Sequence, residues 1–81
     1  MNLEIISPEK IIYSGKAEAV TLPGLSGSFT ILNRHAPIIS ALKKGVVSYR
    51  ITGKEKENEI EVMISEGFVE AMKNNVSVCI E

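Results

Sequence analysis

Residues 59–80 decide the fold of this chain, and they read EIEVMISEGFVEAMKNNVSVCI. Ile60, Val62 and Ile64 take every second position in Glu59–Ser65, with Glu59 and Glu61 on the other face, and polar and aliphatic side chains alternate in Asn75–Ile80. A period of two residues sends successive side chains to opposite faces of an extended backbone, unlike the longer period of a helix. Both segments are therefore predicted to be β-strands, each with one aliphatic face: Ile60, Val62 and Ile64, then Val76, Val78 and Ile80.

The same alternation recurs toward the N-terminus, in Gly45–Thr52 and in shorter pairs that begin at Leu3, Val20 and Phe29. Turn-forming pairs separate the apolar runs. The predicted breaks are Ser14-Gly15, Pro23-Gly24, Ser26-Gly27, Gly53-Lys54, Glu66-Gly67 and Asn74-Asn75. The Asn pair suits a tight hairpin because Asn tolerates positive φ, and Lys54–Asn58 is predicted to form a charged hairpin tip. About eight or more short strands predict an all-β fold, either a β-sandwich or a flattened barrel.

The composition indicates one small domain with few of the residue types that catalytic sites commonly use. Its 81 residues are 44% hydrophobic and 23% charged, with a net charge of −1. This balance argues against a nucleic-acid binder and against adsorption to an anionic membrane. With one His, one Cys and no Asp, neither a metal cluster nor an internal disulfide is expected, and no cofactor is predicted. The start Met-Asn-Leu-Glu is unlike a signal peptide, so we expect an intracellular protein.

The lone His and the lone Cys are the candidate reactive groups, and both are predicted to be structural. Histidine is the residue type most often used as a general base, but a general base needs an orienting partner. Without any Asp that partner would be a Glu, such as Glu66. Cys79 alternates with Val78 and Ile80, and no positive group that would activate a thiol is suggested nearby.

Two further segments are weak candidates for anion or nucleic-acid binding. Pro23–Ser28 is rich in glycine, yet it lacks the order of a phosphate-binding loop and precedes a predicted strand instead of a helix. Lys43, Lys44 and Arg50 form a local basic spot, but the chain has too few aromatic residues for a stacking platform.

The segment Leu22 to Gly45 holds more apolar residues than a solvated loop needs. These residues either dock on another protein or complete the core, and the sequence leaves both readings open. They are Leu25, Phe29, Ile31, Leu32, Ile38, Ile39 and Leu42.

The stretch LPGLSGSFTILNRHAPII at 22–39 closely resembles the signature loop of the epsilon subunits of F-type ATP synthases. That family typically has Pro-Gly, a Gly followed by an acidic residue, and then Gly-Ile-Leu-Pro-Gly-His-Ala-Pro. Further blocks agree in order and spacing: ISPEKIIYSG at 6–15, LKKGVV at 42–47, and SEGFVE at 65–70 with NNVSV at 74–78. Blocks in register over almost the whole chain make the resemblance specific.

The resemblance implies one domain over residues 1–81, a ten-stranded β-sandwich without catalytic activity. Such a domain binds the gamma subunit, rests on the c-ring and turns with both, coupling ion translocation to ATP synthesis. It also implies a peripheral position on the cytoplasmic face of the bacterial cell membrane, reached only through the complex, with no nucleic-acid ligand and no stable homo-oligomer. By this resemblance the ring contacts are Ser26, Gly27, Ser28, Asn33, Arg34 and His35. Those assigned to gamma are Ser7, Ala36, Pro37, Ile38, Ile39 and Leu42.

The chain departs from the family pattern at its loops. Ser26 and Ser28 stand where acidic residues are common, and Asn33-Arg34 replaces the usual Pro-Gly. This loss of acidic charge predicts a compensating change in the ring, such as fewer basic loop residues. Thr30 and Glu66 replace glycines, so we expect less strained turns there.

Bacterial members of the family typically continue into a C-terminal pair of helices, whereas this chain ends at Glu81 as the last predicted strand finishes. We therefore expect coupling without self-inhibition by this subunit. Two rival functions remain: a free-standing small β-barrel that binds oligonucleotides or carbohydrates, and an enzyme that uses His35 with a Glu. Among the three, a stable complex with gamma is expected only for the rotor subunit.

Overall fold

A computed structural model describes residues 1–51, 53 and 59–81, which form eight β-strands. The strands are β1 (Asn2–Ile6), β2 (Ile11–Gly24), β3 (Gly27–Leu32), β4 (Ile38–Leu42), β5 (Gly45–Ile51), β6 (Glu59–Ile64), β7 (Gly67–Met72) and β8 (Asn75–Ile80). The all-β prediction is confirmed. In the described ranges, no helix is long and apolar enough to cross a membrane.

The strands form one continuous sheet that folds over into two layers, a β-sandwich. One layer has the strand order β2–β1–β8–β7–β4, in which β1 and β8 are parallel and the other pairs are antiparallel. The second layer is antiparallel throughout and has the order β3–β2–β5–β6. β2 belongs to both layers, because its first half pairs with β1 and its second half with β3 and β5. Its register shifts between Ala17 and Ala19, where it passes from one layer to the other.

The core lies between the layers, and every buried side chain among the described residues is apolar or aromatic. Val20, Val47 and Val69 come from three different strands and are completely buried. Burying an aliphatic side chain of this size contributes about 1.5–3 kcal/mol. The rest of the core comes from alternate strand positions: Met1, Leu3, Ile5, Ala17, Leu22, Ile31, Leu42, Tyr49, Ile64, Ala71, Val76, Val78 and Ile80.

Two of the predicted breaks are not turns. Ser14-Gly15 and Pro23-Gly24 both lie inside β2, which has 14 residues. Gly15 stays extended opposite Leu3, and the absence of a Cβ there leaves room for the Tyr13 hydroxyl. Because β2 runs unbroken through both layers, the described residues form eight strands. This number is slightly lower than the ten strands that the resemblance implied.

The β7–β8 hairpin is confirmed, but its turn lies one residue earlier than the Asn pair predicted. Met72 pairs with Asn75, which leaves Lys73 and Asn74 as the central residues. Both have positive φ, 52° and 62°, as a two-residue turn of type I′ requires. The predicted charged tip at Lys54–Asn58 lies outside the described residues.

Candidate functional site

The outward face of the five-stranded layer carries a line of apolar side chains that we call the apolar row. The strand register places one residue each from β1, β8, β7 and β4 side by side: Ile6, Cys79, Phe68 and Ala41. Phe68 is 50% exposed, and the row opens into a depression of about 620 Å³ that Pro8 and Leu25 also line. Apolar surface concentrated in this way is typical of a protein–protein contact.

The next row on the same face is largely polar. The register aligns Glu4, Ser77, Glu70 and Ile39 across the same four strands. Ile39 is 74% exposed, so it extends the apolar surface toward one edge of the layer. Two carboxylates beside an apolar row favour a partner that has an apolar centre and basic residues around it.

The residues assigned to gamma divide between the outward face of the five-stranded layer, the loop before β4 and the core. Ile39 points outward from β4, and Ser7 lines the apolar depression. Residues 36–37 are exposed in the loop before β4, whereas Ile38 packs against the core. Leu42 is only 3% exposed, because the alternation along β4 directs it inward. Leu42 therefore belongs to the core, although it also lines the apolar depression.

The residues assigned to the c-ring lie at the two ends of β3. Ser26, Gly27 and Ser28 are at its start, and Asn33, Arg34 and His35 follow its end; all six are exposed. A six-residue strand spans about 20 Å.

Outward-facing side chains of β3 connect these two ends. Ser28, Thr30 and Leu32 are exposed, and Leu32 reaches 55%. Thr30 shares a 2.8 Å hydrogen bond between hydroxyls with Thr21 of β2. Sequence reasoning missed Thr30 and named Leu32 only among the apolar residues that either dock on a partner or complete the core. The alternation within Gly27–Leu32 identifies both as outward positions.

Hydrogen bonds from two other parts of the chain hold the loop after β3. The backbone nitrogen of Met1 donates to Oδ1 of Asn33, and the backbone nitrogen of Arg34 donates to Oδ1 of Asn74 at 2.8 Å. The loop and the β7–β8 turn together border an open depression of about 580 Å³. We call this depression the basic notch, and its lining is Arg34, His35, Ala36, Pro37, Lys73 and Asn74.

The catalytic alternative requires His35 and a Glu to meet, and the structure does not bring His35 and Glu66 together. Nδ1 of His35 lies 2.6 Å from the carbonyl oxygen of Ala36. Glu66 occupies the turn between β6 and β7, at the end of β7 opposite the notch. Cys79 is half-buried within the apolar row. In the part of the chain that the structure describes, no three potential metal ligands cluster.

Both readings of the apolar residues between Leu22 and Gly45 are partly correct. Ile31 and Leu42 complete the core, and Phe29 and Ile38 pack against it. The remaining apolar residues of this segment are more than half exposed: Leu25, Leu32 and Ile39. The segment therefore supplies core on the inner side of its strands and candidate contact surface on the outer side.

Comparison with known proteins identifies the family. Residues 1–81 match the family described as ATP synthase, delta/epsilon chain, beta-sandwich domain. The chain belongs to this family. The resemblance found from the sequence is thereby confirmed, together with the β-sandwich that it implied.

Bacterial relatives match nearly the whole chain but only part of their own length. The ATP synthase epsilon chain of Leptospira borgpetersenii is 38% identical over 78 residues, which cover 96% of this chain and 58% of that protein. The epsilon chain of Desulfosudis oleivorans is 35% identical over 81 residues, which cover 100% of this chain and 59% of that protein. The chain thus spans somewhat more than half the length of these relatives.

Solved structures share the fold at low sequence identity. A chain in the central stalk and c-ring structure of the Tetrahymena thermophila mitochondrial ATP synthase matches with a TM-score of 0.82 and 19% identity, over 99% of this chain and 62% of that chain. A chain in the Euglena gracilis mitochondrial ATP synthase structure of OSCP, F1 and c-ring matches with a TM-score of 0.88 and 18% identity, over 99% of this chain and 49% of that chain. At these identities the matches establish the fold.

Proposed function

We propose that this chain is a non-catalytic rotor subunit of an F-type ATP synthase. It binds the gamma subunit and the c-ring and couples ion translocation to ATP synthesis. The observation that carries the proposal is the family match over residues 1–81, since relatives at 35–38% identity are ATP synthase epsilon chains. The domain itself performs no chemistry in this role, in keeping with the separation of His35 from Glu66.

The outward face of the five-stranded layer is the proposed gamma-binding surface. The apolar row and Ile39 supply the apolar centre that a permanent interface needs. Glu4 and Glu70 supply charged groups beside that centre. Relative to the set predicted from sequence, Phe68 takes the place of the buried Leu42.

The edge formed by β3 is the proposed ring-facing surface. Ser26–Ser28 and Asn33–His35 keep the role that the resemblance gave them, and Thr30 and Leu32 join them along the strand. This arrangement turns two separate loop contacts into one edge about 20 Å long.

β2 connects the two proposed surfaces. Its first half is hydrogen-bonded to β1, which carries part of the gamma surface, and its second half is hydrogen-bonded to β3. A continuous strand that is hydrogen-bonded to neighbouring strands along its length resists bending more than two domains joined by a loop. The proposed ring contact can therefore transmit torque to the proposed gamma contact without a hinge between them.

In this role the chain is peripheral on the cytoplasmic face of the bacterial cell membrane, and it meets the membrane only through the complex. Neither a nucleic-acid ligand nor a stable homo-oligomer is needed. The alternative of a free-standing barrel for oligonucleotides or carbohydrates is less favoured, because Tyr49 is buried and Tyr13 and Phe29 pack against the core. Phe68 is then left as the single widely exposed ring, too little for a stacking platform.

Substituting Ile39 tests the proposed gamma surface. Ile39→Glu places a carboxylate on the apolar surface at the edge of the layer, beside Glu70, so we expect gamma binding to weaken at least about tenfold. Met63→Glu is a matched control, because Met63 is also 74% exposed but lies on the outward face of the four-stranded layer. The measurement is the amount of the organism's own gamma subunit that co-purifies with the tagged chain after co-expression.

We expect the unsubstituted chain and Met63→Glu to retain gamma and Ile39→Glu to lose it. Loss with Met63→Glu alone would place gamma on the other layer. Failure of the unsubstituted chain to retain gamma would contradict the proposed function itself.

A further inference from the structure

The basic notch holds two cations and no carboxylate. Arg34 and Lys73 stand on separate turns, and none of the described residues that line the notch is acidic. Within the described ranges, neither cation takes part in a salt bridge. Two such charges beside one open depression form a site that favours an anionic group.

The backbone of the notch adopts a conformation that disfavours the residues it carries. Arg34, Lys73 and Asn74 have φ values of 63°, 52° and 62°, and in the described part of the chain they are the non-glycine residues with positive φ. Glycine adopts this conformation freely and Asn tolerates it, whereas Arg and Lys do so at a cost. The chain therefore carries its notch cations at two positions where glycine fits the backbone better. Strain of this kind is often found at functional sites.

A hydrogen bond fixes the spacing of the two turns. The Arg34 backbone nitrogen donates to Oδ1 of Asn74 at 2.8 Å, so the loop after β3 is tied directly to the β7–β8 turn. The backbone positions from which the two cations extend are consequently set before any partner arrives, which lowers the ordering entropy that binding must overcome.

We propose that the basic notch binds a carboxylate-bearing loop of the c-ring, so that cations of this chain carry the charged part of its ring contact. This inference rests on the proposed function. The guanidinium of Arg34 can hold a carboxylate through two parallel hydrogen bonds, and the ammonium of Lys73 adds a second positive charge. The ring loop that faces Arg34 is accordingly expected to contain Asp or Glu.

A protein carboxylate fits the notch better than the headgroups of an anionic membrane. Each basic residue near such a membrane raises affinity by only about fivefold, so two raise it about 25-fold. The net charge of −1 opposes even that adsorption. Two cations on turns that are hydrogen-bonded to each other instead suit one carboxylate-bearing loop.

Stability measurements separate a binding role of these cations from a structural one. Because glycine fits positive φ, Arg34→Gly and Lys73→Gly are expected to leave Tm unchanged or to raise it by up to about 5 °C. A drop in Tm of that size in both variants would show that the side chains support the fold, and it would overturn the inference.

Ring binding is measured with the chain–gamma complex and the organism's own c-ring in nanodiscs of neutral phosphatidylcholine. The double variant Arg34→Gln/Lys73→Gln is expected to bind the ring at least about tenfold more weakly and with a shallower salt dependence. Lys44→Gln is the matched control, because Lys44 is also exposed but lies in the β4–β5 turn, away from the notch. The gamma subunit should co-purify in equal amounts with the unsubstituted chain, the double variant and Lys44→Gln.

Three results would overturn the inference while leaving the proposed function standing. One is ring binding that the double variant does not change. Another is equal loss with Lys44→Gln, which would indicate a general charge effect. The third is binding of the complex to phosphatidylglycerol vesicles that depends on Arg34 and Lys73 while ring binding does not. Loss of gamma from the unsubstituted complex would instead contradict the proposed function.

Discussion

The phenol of Tyr49 lies in the core, 4% exposed, with its ring centroid 4.7 Å from that of Tyr13. Burial, with a smaller contribution from Tyr13, raises the pKa of Tyr49 above its ordinary value of 10.0. The folded protein therefore favours the neutral phenol more strongly than the unfolded chain does. Its contribution to stability is complete below the unfolded pKa and is lost as the pH rises through the folded pKa.

This shift predicts a pH dependence of stability that Tyr49→Phe should reduce. As the pH rises from about 9 to about 11, the unfolding free energy of the unsubstituted chain should fall more steeply than that of Tyr49→Phe, which has no phenol to ionise. Urea unfolding at a series of pH values measures the difference. Tyr13→Phe should keep the steep fall, and identical slopes for the unsubstituted chain and Tyr49→Phe would contradict the prediction.

At the scale of elements, the pairing of β7 with β8 depends on a glycine. Gly67 lies opposite Ile80 at the start of β7. A Cβ added there would collide with the carbonyl oxygen of Cys79 and lie 3.2 Å from Cα of Ile80. Both obstacles are backbone atoms, so a side chain cannot turn away to relieve the contact.

Gly67→Ala is therefore expected to lower the unfolding free energy by about 1–3 kcal/mol, through local separation of β7 from β8. Glu66→Ala is the neighbouring control, because Glu66 is exposed in the preceding turn and its loss should change stability by less than about 0.5 kcal/mol. Chemical denaturation followed by circular dichroism compares the two. An equal effect of both substitutions would show that the backbone at Gly67 is not tightly packed.

The strands show which parts of the fold could be predicted from the sequence. Alternation located the strands around Val47, Val62 and Val78, because burial of one face of a strand leaves a period of two. It could not show that β2 continues through Ser14-Gly15, since that depends on which strands flank β2 in each layer. Glycine and proline mark potential turns, but strand pairing decides whether the chain turns there.

The candidate surfaces were predictable only in part. The resemblance pointed to both ends of β3, and the alternation with Phe29 and Ile31 marks Thr30 and Leu32 as outward positions, but only the fold shows that these residues join the two ends along one edge. The apolar row joins β1, β8, β7 and β4, and no local sequence pattern reveals their register. Lys73 and Arg34 are far apart in sequence, so their meeting in the basic notch also required the fold.

At the scale of the whole molecule, two outward surfaces share one rigid sandwich. The proposed gamma surface covers the face of the five-stranded layer, and the proposed ring surface follows the β3 edge to the basic notch. Both are tied to β2, which belongs to both layers. In the proposed rotor role the domain acts as a rigid spacer, because neither surface can move far without disrupting strand pairing.

Site-specific crosslinking tests the gamma assignment most directly. A photoreactive benzoylphenylalanine is placed at position 39, and separately at position 63, in the assembled ATP synthase of the source organism. These positions carry side chains of equal exposure on opposite layers, 74% for both Ile39 and Met63. Irradiation is predicted to yield a covalent adduct with gamma from position 39 and none from position 63. An adduct with gamma from position 63, or no adduct with gamma from position 39, would contradict the proposed gamma surface.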